Sequence, residues 1–561
     1  MIKPDVWQPA DGLELEPSAL RAVKEKKKSL ALTAGPGAGK TEMLAQRADF
    51  LLRTGTCRYP KRILAISFKV DASKNLKERV RRRCGLDLGA RFDSYTFHAF
   101  AKRVIDRFRP VLSGKDALDV GYGIGRDRIA RKQVAFDDLI PLAIKIVSKS
   151  AVARNAIRQT YSDVFLDEFQ DCTNQQYELI KILFAGLPAE RSIRLIAVGD
   201  TKQKIMGWAG ALDGIFLKFV KNFSAKPLNM YRNFRSKPRL LRMQNDIIAM
   251  LDPASVMPKD QMVGDEGEVF VWTFQDAEQE AVKIAKSISC WINNEGIPPS
   301  EIAVLLSKQP DLYAANVMDE LQKLGIPYRN EQELQDLSAE PIARLIVDYL
   351  ACLYGDHSPK AWVRLMDQLV PFGDDEPQLT TRQNLQRIIS QARRKVKVAK
   401  SICDEFMGWW ELAQEFLQEI GVETLTALSS DYEENDRLSS LIGETEGRIK
   451  ELIETEPNLI AALDRFSDDQ AVRILTIHKS KGLEFDSVII LGIEEQTFWG
   501  RIEEERCVFF VGVSRAKKRL VLTTSQHRET PSSKPYRWQE VRTAHKEFLR
   551  YAKHHLSNSS A

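Results

Sequence analysis

The residues best suited to chemistry are Ala34-Gly35-Pro36-Gly37-Ala38-Gly39-Lys40-Thr41. Glycine at 35, 37 and 39 lets the chain turn tightly, so that successive backbone N–H groups close around an anion such as the β-phosphate of a nucleotide. Lys40 adds a cation for the β- and γ-phosphates, and the hydroxyl of Thr41 is a ligand for Mg²⁺. Ala34 stands where the strict pattern has glycine. Taken alone, the stretch also fits a glycine-rich turn that caps a helix. A second cluster, Val164-Phe165-Leu166-Asp167-Glu168, sets two carboxylates at the end of an apolar run and continues as Phe169-Gln170-Asp171. Asp167 is placed to share the Mg²⁺ shell with Thr41, and Glu168 to polarise an attacking water. By itself this cluster also fits a helix start made acidic for its dipole. Together the two motifs point to a nucleoside triphosphatase that works with Mg²⁺.

Such loops must hang from strands, and the sequence supplies them. Short β-rich apolar runs at 29–34, 62–68, 163–166, 193–198, 269–273, 302–306, 472–477, 488–492 and 519–523 alternate with longer helical patterns. That alternation predicts parallel α/β sheets. From about 345 to 468 the strands give way to charged residues and Leu, Ile and Ala at helical spacing, which predicts a helical insertion between two strands of a second α/β unit. A length of 561 residues implies several domains, at roughly 100–200 residues each. With 43% hydrophobic and 28% charged residues the chain reads as globular, not as collagen, coiled coil or bulk disorder. No apolar run approaches a bilayer-spanning length and the first residues lack a signal-peptide core, so a cytoplasmic protein without membrane contact is expected. The 7 cysteines stand singly, which supports neither a disulfide framework nor a zinc ribbon. The net charge of +5 says little, but clusters at Arg79–Arg83, Arg126–Lys132 and Arg393–Lys397 allow a basic groove.

The order of motifs resembles that of the superfamily 1 DNA helicases of the UvrD/Rep/PcrA type. After the phosphate loop, Ile63-Leu64-Ala65-Ile66-Ser67-Phe68 is similar to the family's next motif, although Lys69-Val70-Asp71 replaces its usual Thr-Asn-Lys. Thr96-Phe97-His98 matches the family's Thr-Phe-His signature, Phe136-Asp137-Asp138-Leu139 its acidic segment, and Asp167-Glu168-Phe169-Gln170-Asp171 its carboxylate box. Gly199-Asp200-Thr201-Lys202-Gln203 resembles the motif whose Gln senses the γ-phosphate, with Trp208 as the base-stacking aromatic. Asn233-Phe234-Arg235-Ser236 looks like the element whose aromatic packs on adenine and whose arginine reaches the γ-phosphate. Thr476-Ile477-His478-Lys479-Ser480-Lys481-Gly482-Leu483-Glu484-Phe485 resembles the motif that couples DNA to nucleotide, and Val511-Gly512-Val513-Ser514-Arg515-Ala516 the last motif, which makes Arg515 a second arginine finger.

The resemblance implies two RecA-like parallel-sheet domains with helical insertions: 1–98 with 156–226, and 227–345 with 470–525. A small helical insertion over 99–155, a reduced helical accessory domain over 346–469 and a tail over 526–561 complete the division. It implies Lys40, Asp167, Glu168, Gln203, Arg235 and Arg515 as catalytic residues. Nucleotide contacts fall to residues 35–41 with Phe234, Gly482 and Glu484, and DNA contacts to Phe68, Thr96, His98, Trp208, Thr476 and His478. Phe97 and Tyr231 are further stacking candidates. The implied activity is ATP- and Mg²⁺-dependent 3′ to 5′ movement along single-stranded DNA with unwinding of tailed duplexes. The chain departs from the family where Ala19 takes the place of an adenine-reading Gln and Ala209 that of an Arg. These departures and the small accessory domain motivate an alternative, a DNA- or nucleotide-sensing ATPase that controls a partner nuclease, as in Gabija-type antiphage systems. A nucleotide kinase or transporter ATPase, a third reading, fails on the second domain with its two arginines.

Overall fold

In the computed structural model, which describes residues 2–68, 70–125, 127–188, 193–203, 214–330, 337, 340–355, 358–369, 375–400, 408–426, 428, 432, 435–455, 458–467, 471–531 and 538–557, the apolar runs become parallel strands. In chain order these are β1 (Leu30–Ala34), β2 (Arg62–Ser67), β3 (Phe92–Thr96), β4 (Leu118–Gly125), β5 (Arg131–Ala135), β6 (Tyr161–Leu166), β7 (Arg194–Gly199) and β8 (Lys226–Met230). They continue as β9 (Glu268–Asp276), β10 (Ile302–Leu306), β11 (Tyr328–Asn330), β12 (Val472–Thr476), β13 (Phe485–Ile490) and β14 (Ala516–His527). Two six-stranded sheets result, ordered β3-β2-β6-β7-β1-β8 and β11-β12-β10-β13-β14-β9. Every pairing in both is parallel. Central strands such as Ile302–Leu306 are buried along their whole length, as strands covered by helices on both faces must be. The chain is thus an α/β protein built on two parallel sheets.

Strand order determines the chemistry. In the first sheet β6, β7, β1 and β8 are consecutive neighbours, so the loops after them leave from one carboxyl edge, where open α/β sheets bind ligands. Those loops carry Asp167-Glu168, Asp200, residues 35–39 and Asn233–Ser236. In the second sheet β12, β10 and β13 are neighbours. Thr476 ends β12 and Lys308 follows β10 on the carboxyl edge, whereas Glu484 and Arg515 immediately precede β13 and β14 on the amino edge.

The chain divides into two compact units, and both sheets lie in the first, Met1–Val111 with Ile140–Gln332 and Ala471–Ala561. The second, Leu112–Leu139 with Glu333–Gln470, contains the helices Pro341–Tyr354, Pro359–Leu369, Asp375–Lys400, Trp409–Ile420 and Asn435–Thr455. Its core includes Tyr349 stacked on Phe416 at 3.9 Å between ring centroids. Tyr432 donates to Glu340 Oε2 at 2.6 Å and accepts from the Ile342 N–H at 3.1 Å, which fixes the start of the first of these helices.

Three boundaries differ from expectation. The stretch 99–155 is not purely helical: β4 and β5 form a two-stranded sheet within it, and only its middle belongs to the second unit. Strand β8 pairs with β1 from Lys226 to Met230, which extends the first sheet past residue 226. Residues 526–561 are more than a tail, because the helix Lys546–Lys553 buries Phe548 and Tyr551 in the core of the second sheet. The N–H of Ser557 then donates to the Val269 carbonyl at 2.9 Å and pins the chain to β9. The sequence signal was faint there because only one side of that short helix is apolar.

Candidate nucleotide and nucleic-acid site

The phosphate loop runs from β1 to the helix Lys40–Arg53, with Gly39 as the helix N-cap in the left-handed region at φ 76°. Gly37, at φ 67°, has no room for a side chain, since a Cβ would lie 2.6 Å from that of Arg235. The Phe234 N–H donates to the Gly37 carbonyl at 2.9 Å, so the loop is braced directly by the element after β8. A cleft adjoins it, lined in part by Gly35, Pro36, Lys202, Tyr231, Asn233 and Gln244. Lys40 Nζ stands 3.5 Å from the Ala34 carbonyl and 4.0 Å from Glu168 Oε1. Phe234 is 54% exposed with the Arg232 guanidinium 4.9 Å from its ring centroid, an open aromatic face beside the loop.

The carboxylates of Asp167 and Glu168 differ in environment. Burial and the Glu168 charge push Asp167 up. Burial would raise Glu168 too, but Lys40, Lys481, the amide of Gln170 and Arg515 outweigh it and hold it low. Glu168 is therefore ionised, and Asp167 is a carboxylate that gains by a nearby cation. The Asp167 carboxylate and the hydroxyl of Thr41, which follows Lys40 at the end of the phosphate loop, are oxygen donors of the kind that fits Mg²⁺.

From Glu168 a line of polar side chains runs to the second sheet. Gln170 donates from Nε2 to Glu168 Oε2 at 2.6 Å and accepts the Asp200 N–H on Oε1 at 3.0 Å. Gly199 must be glycine, because a Cβ there would strike the Gln170 amide oxygen and lie 3.1 Å from the Phe169 nitrogen. Asp200 accepts from Gln203 Nε2 at 3.0 Å and pairs with Lys202 at 2.9 Å. Gln203 Oε1 in turn accepts from Arg515 Nη2 at 3.0 Å. Arg515 is 2% exposed and is also held by the carbonyls of Val511 at 2.9 Å and Leu483 at 3.1 Å. Burial, with Arg235 nearby, lowers its pKa to about 9, so it keeps its charge at neutral pH.

Two further links join the sheets. Lys481 Nζ donates to Asp171 Oδ2 at 2.5 Å and to the Gln203 carbonyl at 2.9 Å. Arg235 pairs with Glu484 Oε2 at 2.7 Å and donates to the Ser514 carbonyl at 3.0 Å. Gly482, at φ 96°, makes the turn between these contacts. Lys40, Asp167, Glu168, Gln203, Arg235, Arg515 and Glu484 thus converge. Gln170, Asp171 and Lys481 stand in the quoted motifs without a role; the only sequence signal for them was their polarity beside strand ends.

The residues expected at DNA make contacts of another kind. Phe68 is half-buried and packs edge-on against the buried Phe97 at 5.5 Å. The Thr96 hydroxyl accepts the Ala99 N–H at 3.2 Å and caps the helix Phe97–Phe108, with the half-buried His98 in its first turn. Thr476 Oγ1 likewise accepts the Lys479 N–H at 3.3 Å. Burial, with Lys308 and Lys481 nearby, lowers the pKa of His478. Trp208 and Ala209 lie outside the described residues. Tyr231 accepts from Asn229 Nδ2 at 3.0 Å. Ala19 is 1% exposed, so the position aligned with the family's Gln is packed in the core. The basic clusters are substantially neutralised: Arg79 and Arg83 pair with Glu42, Arg128 with Asp116, Arg131 with Asp119, and Lys395 with Glu415.

Comparison with known proteins agrees with this geometry. The UvrD/REP helicase N-terminal domain model matches residues 15–120 and 122–224, and the UvrD-like helicase C-terminal domain model matches 228–378 and 378–527. The chain belongs to the UvrD-like helicases. It is similar to the ATP-dependent DNA helicase PcrA of Leuconostoc citreum, at 23% identity over 92% of this chain and 83% of that protein. It is likewise similar to PcrA of Bacillus subtilis (strain 168), at 24% identity over 92% of this chain and 83% of that protein. As a UvrD-like helicase it is an ATP-hydrolysing, DNA-binding enzyme. Among the described residues no helix is long and apolar enough to cross a membrane.

Proposed function

We propose that this helicase moves 3′ to 5′ along single-stranded DNA and unwinds tailed duplexes as it hydrolyses ATP. The observation that carries the reading is the continuous line Glu168–Gln170–Asp200–Gln203–Arg515, which ties the water-activating carboxylate of one sheet to an arginine of the other. Backbone N–H groups of residues 35–39 cradle the phosphates and Lys40 neutralises them. Glu168, held ionised by its cationic neighbours, accepts a proton from the attacking water. Arg515 approaches the γ-phosphate from the second sheet and Arg235 from the loop after β8 of the first, and such a finger contributes on the order of 10³–10⁵ in rate. Mg²⁺ held by Thr41 and Asp167 would add charge neutralisation on the phosphate oxygens. Phe234 packs on the base of the nucleotide. Because Arg515 and the carboxylates sit on different sheets, hydrolysis requires closure, and closure moves the strand-binding edges relative to each other. Phe68, Thr96, His98, Trp208, Thr476 and His478 grip the strand, and polarity rests on the family likeness.

A second reading, a sensing ATPase that governs a partner nuclease, is favoured by one observation: Ala19 in the core leaves that helix without the family's adenine-reading amide. Strand displacement on matched 3′-tailed and 5′-tailed partial duplexes, with Glu168→Gln as the inactive control, separates the two. Displacement of the 3′-tailed substrate alone supports the motor. DNA-stimulated turnover without displacement supports the sensor.

A further inference from the structure

One of the exposed aromatics outside the motifs described above is a tryptophan. Trp499 lies between β13 and the helix Ile502–Val513 and is 70% exposed. The loop that displays it is firmly built. On one side Phe498 is buried edge-on against Phe548 at 5.2 Å and Phe509 at 6.4 Å. On the other, the Gly500 N–H donates to Glu505 Oε1 at 2.9 Å, and a Cβ on Gly500 would strike that carboxylate. Upstream, the Thr497 hydroxyl donates to the Glu494 carbonyl at 2.8 Å. The Glu494 carboxylate is itself buried against Arg528 at 2.7 Å, which also pairs with Glu280 at 2.7 Å. An indole held in solvent between anchored neighbours is not slack in a surface loop.

Beside it stands a cation. Lys308 Nζ lies 3.6 Å from the indole centroid and 3.4 Å from Glu505 Oε1. Lys308 follows β10, whose neighbours are β12 and β13. The Ile477 N–H donates to the Leu306 carbonyl at 2.8 Å, which brings Lys308 to the same edge as Thr476 and His478. One ring and one ammonium match the two chemically distinct parts of a nucleotide, its base and its phosphate.

We propose that Trp499 is a base-stacking platform for single-stranded nucleic acid on the carboxyl edge of the second sheet, with Lys308 as its phosphate contact. The inference rests on the helicase reading and extends it by a residue outside the motifs described above. Stacking tolerates any base, as a moving motor requires, and the ammonium passes from the indole to the strand when a phosphate arrives.

The test is fluorescence anisotropy of the full-length protein with labelled oligo-dT and with a fully abasic strand of equal length. Trp499→Ala weakens oligo-dT binding on the order of tenfold, whereas Trp499→Phe keeps most of the affinity because it keeps a ring. On the abasic strand Trp499→Ala and the native protein bind alike. Lys308→Gln weakens both strands and lowers the slope of log affinity against log salt by about one. A thermal midpoint equal to that of the native protein shows that each variant is folded. Equal oligo-dT affinity for Trp499→Ala and native protein overturns the platform, as does an equal loss on the abasic strand. Failure of the native protein to bind either strand overturns the helicase reading itself.

Discussion

The proposed nucleotide side and the proposed strand side of this protein are built on opposite principles. Around the phosphate loop Asp200, Gln203, Lys481 and Arg515 are all buried and bonded to one another across two sheets. Along the strand side Phe68, Thr96, His98, Thr476 and His478 are half-buried, and the bonds that Thr96 and Thr476 make cap turns of the chain itself. Phosphoryl transfer demands fixed atoms, because its rate rests on charges already in place. A strand that slides past must be gripped by groups that accept any base and release it. Burial marks the first task and partial exposure the second.

Breaking the nucleotide side is expected to have the largest effect. Lys40→Ala removes the cation facing the γ-phosphate, and steady-state ATP turnover falls to background; retained turnover would remove Lys40 from the chemistry. Gln170→Leu leaves Glu168 and the Asp200 N–H without their shared amide, and kcat drops by about 10- to 100-fold, the usual toll for losing a partner that orients a reactive group. Should KM change and kcat stay, Gln170 would be a binding residue instead. Gly199→Ala forces a Cβ into the Gln170 amide and costs about 1–3 kcal/mol of stability by urea unfolding. An unchanged midpoint would show that the line relaxes freely.

The strand side yields a smaller, pH-dependent effect. His478 has its pKa lowered below the ordinary 6.5 by burial and by Lys308 and Lys481. A base so shifted stabilises the fold while neutral: the contribution is present above 6.5 and lost as pH falls through the folded value. His478→Gln therefore flattens the decline in stability as pH falls below 6.5, read by thermal unfolding on both sides of that value. A decline as steep as in the native protein would assign the acid sensitivity elsewhere.

The same contrast explains what the sequence made legible. Strands buried on both faces, such as Ile302–Leu306, announce themselves as apolar runs. The edge strands β3 and β11 have only partly buried, polar-rich sequences, Phe-Asp-Ser-Tyr-Thr and Tyr-Arg-Asn, and carry no such signal. Lys40, Asp167 and Glu168 were legible because phosphate chemistry requires those residue types at those spacings. Gln170 and Lys481 were not, because their roles exist only once Asp200, Gln203 and Asp171 are brought beside them from other strands. Paired basic clusters likewise show that a run of arginines in sequence is not a free basic surface: Arg83 spends its charge on Glu42.

The central claim is that hydrolysis depends on a residue of the second sheet acting on the transition state. It is tested most directly by measuring single-turnover ATP hydrolysis and ATP affinity of Arg515→Ala against the native protein, each with saturating oligo-dT. The account predicts a rate on the order of 10³ lower with affinity nearly unchanged. An equal loss in both, or a rate that survives, would contradict it.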